Sequence, residues 1–239
     1  MPLGTLYLLP VPLAQEAEHK SYTLFFQDIL LNLHEFIVEN EKTARRFIKQ
    51  TGLNILQQDL VIHDYGKHAR DSVDYDVLLQ AAIQGRDIGL MSDAGCPGVA
   101  DPGALVVAAA HKRGIKVVPL VGPSSILLAL MASGFSGQKF AFHGYLPIDK
   151  RERTAKIKEL ESQSQREDQT QLFIETPFRN NALWDELLKS CKGETKLCIA
   201  CNLTAQDEYI RTNSVKEWKG KKVDLHKKPT IFLLYMNTD

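Results

Sequence analysis

Ile88-Gly-Leu-Met-Ser-Asp-Ala-Gly-Cys-Pro-Gly-Val-Ala-Asp-Pro-Gly103 joins three signals in one stretch. Its first four residues form a short apolar run that reads as a buried strand. Gly95, Gly98 and Gly103, with Pro97 and Pro102, then let the backbone turn sharply and approach a ligand closely. Ala104 to Arg113 continues as an Ala/Val-rich helix that stops at Gly114. Strand, glycine-rich loop and helix in that order describe the carboxyl edge of an open α/β sheet, where ligands bind.

On either side of this stretch, short apolar runs alternate with amphipathic ones. Strands are expected at Gly4 to Val11, Phe36 to Val38, Leu60 to Ile62, Ile88 to Met91 and Ile115 to Val118. Helices are expected at Thr23 to Leu33, Lys42 to Gln50 and Val73 to Gln84 between them. Pro119-Leu-Val-Gly-Pro-Ser-Ser125 interrupts the alternation halfway along the chain and divides it into residues 1–120 and 121–239. The second half alternates again. Helices are expected at Ser125 to Ala132, Lys150 to Ser162 and Asn181 to Cys191, and strands at Phe140 to Leu146, Gln171 to Glu175, Lys196 to Cys201 and Thr230 to Met236. Gln163 to Gln169 reads as an exposed polar loop. The pattern predicts two α/β domains with mostly parallel sheets.

The chain has 239 residues, 44% of them hydrophobic and 24% charged, which excludes a disordered chain. Lys and Arg number 29, Asp and Glu 29, so formal net charge is zero. A protein that held nucleic acid by bulk charge would be basic overall, so any RNA contact must come from local patches. No run approaches the roughly 18 apolar residues of a membrane span. Met1 to Pro10 lacks a basic start, and the four cysteines are too few for a disulfide framework, so a reduced, cytoplasmic protein is expected.

Several loops have ligand chemistry. In Ser92 to Gly103, exposed N–H groups ahead of a helix favour a carboxylate or phosphate, and Asp93 and Asp101 can accept from an amine or hydroxyl. The stretch is neither G-x-x-x-x-G-K-S/T nor G-x-G-x-x-G after the first strand, so nucleotide fingerprints are absent. On turn chemistry alone, a structural turn with aspartate caps is the plainer reading. Val121 to Ser125 reads as a helix start with hydroxyl caps, and Thr176 with Pro177 as another. Lys42, Arg45, Arg46 and Lys49 fall at i, i+3, i+4, i+7 and share a helix face, with a second basic cluster from Lys150 to Lys158. Such faces are usually only solvated, yet they leave room for phosphate binding. Cys198-Ile-Ala-Cys201 lacks the further ligands of a zinc site and reads as core, so no metal is expected. His63 and His68 are the only histidines near each other.

In this order the loops resemble the tetrapyrrole methylase superfamily, and within it the ribosomal small-subunit RNA 2′-O-methyltransferases that modify a cytidine of 16S rRNA. Ser92 to Gly103 resembles S-D-A-G-x-P-x-x-S/A-D-P-G. Lys116 to Ser125 resembles V-V-P-I-P-G-P-S-A, Phe142 to Pro147 resembles F-x-G-F/Y-L-P, and Glu175 to Arg179 resembles E-S-P-H-R. The resemblance runs nearly the whole length. It implies two α/β domains with S-adenosylmethionine in the interdomain cleft, and a homodimer. The implied cofactor walls are Pro10, Val11, Ser92, Asp93, Ala94, Gly95, Asp101, Gly122, Ser124, Ser125, Leu146, Thr176, Leu203, Pro229 and Thr230.

The resemblance further implies methylation of ribosomal RNA in the small subunit, with Glu39 and then His63 as candidate bases. Lys42, Arg45, Arg46 and Arg179 are the implied phosphate contacts. Cys201-Asn-Leu-Thr-Ala205 stands where that branch carries R-E-L-T-K, and Val38-Glu-Asn-Glu-Lys42 where it carries A-E-D-T-R. Two alternatives therefore stay open. One is a methyltransferase for a small molecule or protein side chain, and the other is a cofactor-binding module without catalysis.

Overall fold

Apolar runs in the first half become five strands of one all-parallel sheet: β1 (Thr5–Leu9), β2 (Glu35–Val38), β3 (Val61–Asp64), β4 (Ile88–Met91) and β5 (Lys116–Pro119). The computed structural model describes residues 2–15, 17, 20–66 and 73–237. His68 lies outside them. The chain folds as two units, Met1–Ser124 and Ser125–Asp239.

Strand order in the first sheet is β3-β2-β4-β1-β5. The chain leaves β1 toward β2, passing β4, and leaves β4 toward β5, passing β1. Right-handed crossovers in opposite directions put their helices on opposite faces. The cores show this division. Helix α1 (Leu24–Asn32) buries Phe26 and Leu30 against Leu9, Phe36, Val38 and Met91, with α2 (Glu41–Gln50) adding Phe47 and Ile48. On the other face, α5 (Gly103–Lys112) buries Val106, Ala109 and Ala110 against Leu6, Ile37, Ile88 and Leu90. Successive strand residues alternate between these cores because the side-chain period of a strand is two. The adjacent carboxyl ends of β1 and β4 therefore form a topological switch point, which is where such sheets bind ligands.

The expected helix from Val73 to Gln84 divides into α3 (Tyr75–Leu78) and α4 (Gln80–Ile83), with the break at Leu79. Asp74 caps the first by accepting from the Asp76 and Val77 N–H groups.

The second sheet corrects the expectation of mostly parallel pairing. Its order is β6-β7-β10-β8-β9, from β6 (Phe140–Tyr145), β7 (Thr170–Ile174), β8 (Lys196–Cys201), β9 (Tyr209–Ser214) and β10 (Thr230–Tyr235). Only β6 and β7 pair in parallel. A parallel crossover needs a dozen or more residues, and residues 202–208 between β8 and β9 suffice only for a hairpin. Strand β9 was not expected from the sequence, because it is an edge strand of mixed polar residues.

Helices α7 (Lys150–Glu167) and α8 (Asn180–Ser190) cover one face, packing Ile157, Leu160, Leu183, Trp184 and Leu187 against Phe173, Ile199, Phe232 and Leu234. Helix α6 (Ser125–Ser133) packs over β8, β9 and β10. Gln163 to Glu167, expected as loop, continues α7. Ser164 is buried there, and its hydroxyl accepts from the Met236 N–H at 2.9 Å. Asp168 then ends the helix in a left-handed conformation, φ 51°.

Trp218, in α9 (Val215–Trp218), is fully buried, donates its indole N–H to the Leu197 carbonyl at 2.9 Å and meets Trp184 edge-on. Trp218→Ala opens a large cavity and removes the indole hydrogen bond to that carbonyl. A loss of about 3–5 kcal/mol is expected, measured by urea unfolding.

Candidate functional site

The loops leaving β1, β4 and β5 are tied together at the carboxyl edge of the first sheet. Val11 and Gly95 exchange two backbone hydrogen bonds, Val11 N–H to Gly95 O at 2.9 Å and Gly95 N–H to Val11 O at 2.8 Å. Gly95 sits at φ 78°, which a side chain would oppose. Gly122 lies flat against Pro10: a Cβ at position 122 would stand 2.2 Å from the Pro10 Cβ. The Cys96 thiol donates to the Pro123 carbonyl at 3.3 Å. Burial, then the nearby Asp101 charge, raises the Cys96 pKa and keeps the thiol protonated for that contact.

Asp101 is the staple of the β4 loop. Its Oδ1 accepts from the Gly98 N–H at 2.8 Å and the Gly103 N–H at 2.6 Å. Burial raises its carboxyl above the ordinary range, against the pull of those two N–H groups and of Ser92. The Ser92 hydroxyl turns to the Ala94 and Gly95 carbonyls, and Asp101 Oδ2 has no well-formed hydrogen bond from a described residue. Asp101 thus shapes the loop from within, whereas Asp93 and Ala94 are exposed on it.

A pocket of about 140 Å³ opens at this edge. Val11 to Gln15 after β1, Asp93 and Ala94 after β4, and Thr43, Arg46, Phe47 and Gln50 of α2 line it. Glu39, directly after β2, accepts the Asp93 N–H on its Oε1 at 3.2 Å. A carboxylate held beside a loop that exposes another carboxylate and faces a guanidinium makes a polar site with charges of both signs.

The basic face expected on α2 divides. Arg46 faces the pocket and has no ion pair among the described residues. Arg45 is engaged by Glu41 at 2.8 Å and by the Gln57 carbonyl at 2.7 Å. Lys42 and Lys49 are exposed. The pocket face is Thr43, Arg46, Phe47 and Gln50, again at i, i+3, i+4, i+7. Arg46 is the one residue of the basic face that also lines the pocket.

His63 does not join Glu39. Its Nε2 contacts Glu35 Oε1 at 2.8 Å, and Glu35 Oε2 accepts from Arg86 at 2.7 Å. Glu35 begins β2 and Arg86 precedes β4, so this network sits toward the amino edge of the sheet, away from the loops described above.

In the second unit, β6, β7 and β8 run in one direction and β9 and β10 in the other. Leu146, Thr176, Leu203, Pro229 and Thr230 consequently share one sheet edge. Leu146, Leu203 and Thr230 are buried there and Pro229 is exposed. Asn202 donates its N–H to the Pro229 carbonyl at 2.9 Å. Thr176 does not cap a helix with Pro177, because α8 begins only at Asn180. Arg179 is bound to the buried Glu175 at 2.6 Å. Ser125 opens α6, with Ser124 just before it.

Cys198 and Cys201, three apart in a strand, point to opposite faces of the sheet and cannot chelate one ion. Burial pushes the Cys198 thiol up to about 11. Among the described residues no group of three or more His, Cys, Asp or Glu is placed to hold a metal.

The family model of tetrapyrrole (corrin/porphyrin) methylases matches residues 35–219. A ribosomal RNA small subunit methyltransferase I of Vibrio cholerae is 31% identical over 206 residues, covering 86% of this chain and 67% of that protein. That of Haemophilus influenzae is 28% identical over 223 residues, 90% of this chain and 72% of its own. The crystal structure of the methyltransferase CobJ superposes with a TM-score of 0.62 at 17% identity, over 97% of this chain and 94% of that one, and shares the fold.

Two outcomes test the loop geometry. Gly122→Ala forces Pro10 or the β5 loop to move and should cost about 1–3 kcal/mol in urea unfolding. Asp101, with its folded pKa raised, gives its full contribution to stability below the ordinary Asp value of 3.8 and loses it as pH rises from there through the raised folded value. Asp101→Asn keeps an oxygen for both glycine N–H groups. Urea midpoints of variant and parent should converge in acid, with the variant the more stable at neutral pH.

Proposed function

The chain belongs to the tetrapyrrole methylase family and is a methyltransferase, and from that premise we propose that it passes a methyl group from S-adenosylmethionine to a ribose 2′-hydroxyl of small-subunit ribosomal RNA. The observation that carries this reading is the carboxyl edge of the first sheet. There, Glu39 and the β4 loop stand beside a pocket at the switch point. The names of the relatives support the acceptor class.

The residues fit the cofactor. Gly122 leaves against Pro10 only the room that a flat backbone needs, and Gly95 holds the β4 loop in a conformation that leaves Asp93 and Ala94 outward. Asp93 suits an ammonium or ribose hydroxyls. Pro10, Val11, Ser92, Gly95, Gly122 and Ser124 would shape the wall around it, with Asp101 as its internal support. In the second unit Ser125, Leu146, Thr176, Leu203, Pro229 and Thr230 are assigned to the same ligand. When bound, S-adenosylmethionine supplies a methyl group already activated on a sulfonium. The protein's own share is to orient the acceptor, exclude water and receive its proton.

Glu39 is the residue assigned to the proton. Its carboxylate accepts the Asp93 N–H of the β4 loop, which supports this role, whereas His63 is engaged by Glu35. Arg46 is assigned to acceptor phosphate, with Lys42, Arg45 and Arg179 contributing at longer range. Arg179 is first bound to Glu175 and Arg45 to Glu41. We also assign the protein to the cytoplasm as a homodimer; no helix among the described residues is long and apolar enough to cross a membrane.

The test is transfer of labelled methyl to small ribosomal subunits from cells that lack the protein. Glu39→Gln keeps an oxygen for the Asp93 N–H, so cofactor affinity by titration calorimetry should stay within a few-fold. Methyl transfer should fall by about 10²-fold or more. No heat on titration with S-adenosylmethionine would sink the reading outright, and equal transfer by Glu39→Gln and parent would remove Glu39 from it.

A further inference from the structure

Phe178 is a large aromatic ring that the fold leaves 69% exposed, in the loop after β7. Lys227 places its ammonium 5.7 Å from the ring centroid, and the His226 ring meets it edge-on at 5.9 Å. Neither residue comes from the same segment as Phe178. The turn that carries them is built to reach it. The Lys227 N–H donates to the Pro177 carbonyl at 3.0 Å, which fixes the two loops to each other. Asn180, fully buried, donates its amide to the Lys228 carbonyl at 2.7 Å. Asn181 accepts the Leu225 N–H at 2.8 Å and donates to Asp224, which in turn accepts the His226 N–H. Lys227 itself sits at φ 60°, a conformation unfavourable for a lysine that persists only when its surroundings impose it.

An exposed ring that folding does not bury, fixed beside the Lys227 ammonium, has the two elements of a single-strand nucleic acid contact. The ring face offers stacking to any base, and the cations offer partners to the flanking phosphates. Charge points the same way. The unit from Ser125 to Asp239 holds 18 Lys and Arg against 15 Asp and Glu, whereas the first holds 11 against 14. A chain of zero net charge must concentrate its RNA contacts in such patches.

We propose that Phe178, His226 and Lys227 form a stacking platform for an unpaired base of single-stranded RNA, with Lys227 and Lys228 on its phosphates. The platform rests on the reading of RNA as the acceptor and adds where and how it is gripped.

The experiment is fluorescence anisotropy of the full chain with a short labelled oligouridylate over a salt series. Phe178→Ala should weaken binding roughly tenfold with an unchanged salt slope, and Phe178→Trp should restore it. Lys227→Gln should lower the slope by about one. An unlabelled duplex of equal length should compete poorly, because its bases are not splayed. Equal binding by Phe178→Ala and parent, failure of the Trp variant to restore it, or equal competition by duplex would each overturn the platform. An unchanged melting temperature of Phe178→Ala excludes misfolding as the cause. If Phe178→Ala loses affinity for small subunits and keeps it for oligouridylate, the patch grips a ribosomal protein and the RNA assignment falls. Methyl transfer to small subunits is scored separately: parent transfer with an inert Phe178 sinks only the platform, and absent parent transfer sinks the RNA acceptor.

Discussion

Parallel pairing of β1 between β4 and β5 is the constraint on which the first unit depends. It brings the ends of three strands into line although their connections run to different parts of the sheet. The Val11–Gly95 exchange then extends the β1–β4 pairing beyond the strands and locks two loops that leave in opposite directions. Because these bonds are backbone to backbone, they demand little of the side chains except where a Cβ would intrude, and there the chain has Gly95 and Gly122. The carboxylates are held by the same device. Glu39 takes the Asp93 N–H and Asp101 takes two glycine N–H groups, so the loop is organised by its own amide donors. Such a site is formed before a ligand arrives, and less ordering remains to be done on binding.

The second unit solves a different problem. A mixed sheet would leave its hairpin and its central reversed strand poorly aligned with a ligand edge. Here β6, β7 and β8 all end where β10 begins, so loops from four strands meet at one rim. Side-chain amides do the fastening: buried Asn180 and half-buried Asn181 hold residues 224–228 against the start of α8. The same fastening presents Phe178 with Lys227 and His226. Polar groups that fasten the loops and side chains that they leave exposed are thus neighbours in the chain.

Much of this was legible in the residue order. Alternating apolar and amphipathic runs located nine of the ten strands described, and turn residues marked the loops that gather at the sheet edges. The differences have identifiable causes. β9 is an edge strand whose polar side chains carry no alternation strong enough to read. The end of α7 is polar because it covers the sheet through Ser164 rather than through an apolar stripe. Antiparallel pairing of β8 with β9 follows from loop length, which hydrophobic pattern does not weigh.

The site shows the division most plainly. Local sequence determined that Ser92 to Gly103 is a glycine-rich strand-to-helix loop, and that α2 carries Lys42, Arg45, Arg46 and Lys49 on one side, because both properties depend only on neighbours in the chain. The tertiary structure decided that Arg46 rather than Arg45 faces the pocket and that Glu39 rather than His63 reaches the β4 loop. It also brought Lys227 to Phe178 across some fifty residues of chain. Those outcomes depend on which strand lies beside which, and on the competing partners that folding supplies, such as Glu41 for Arg45 and Glu35 for His63. Spacing along a chain carries no record of either.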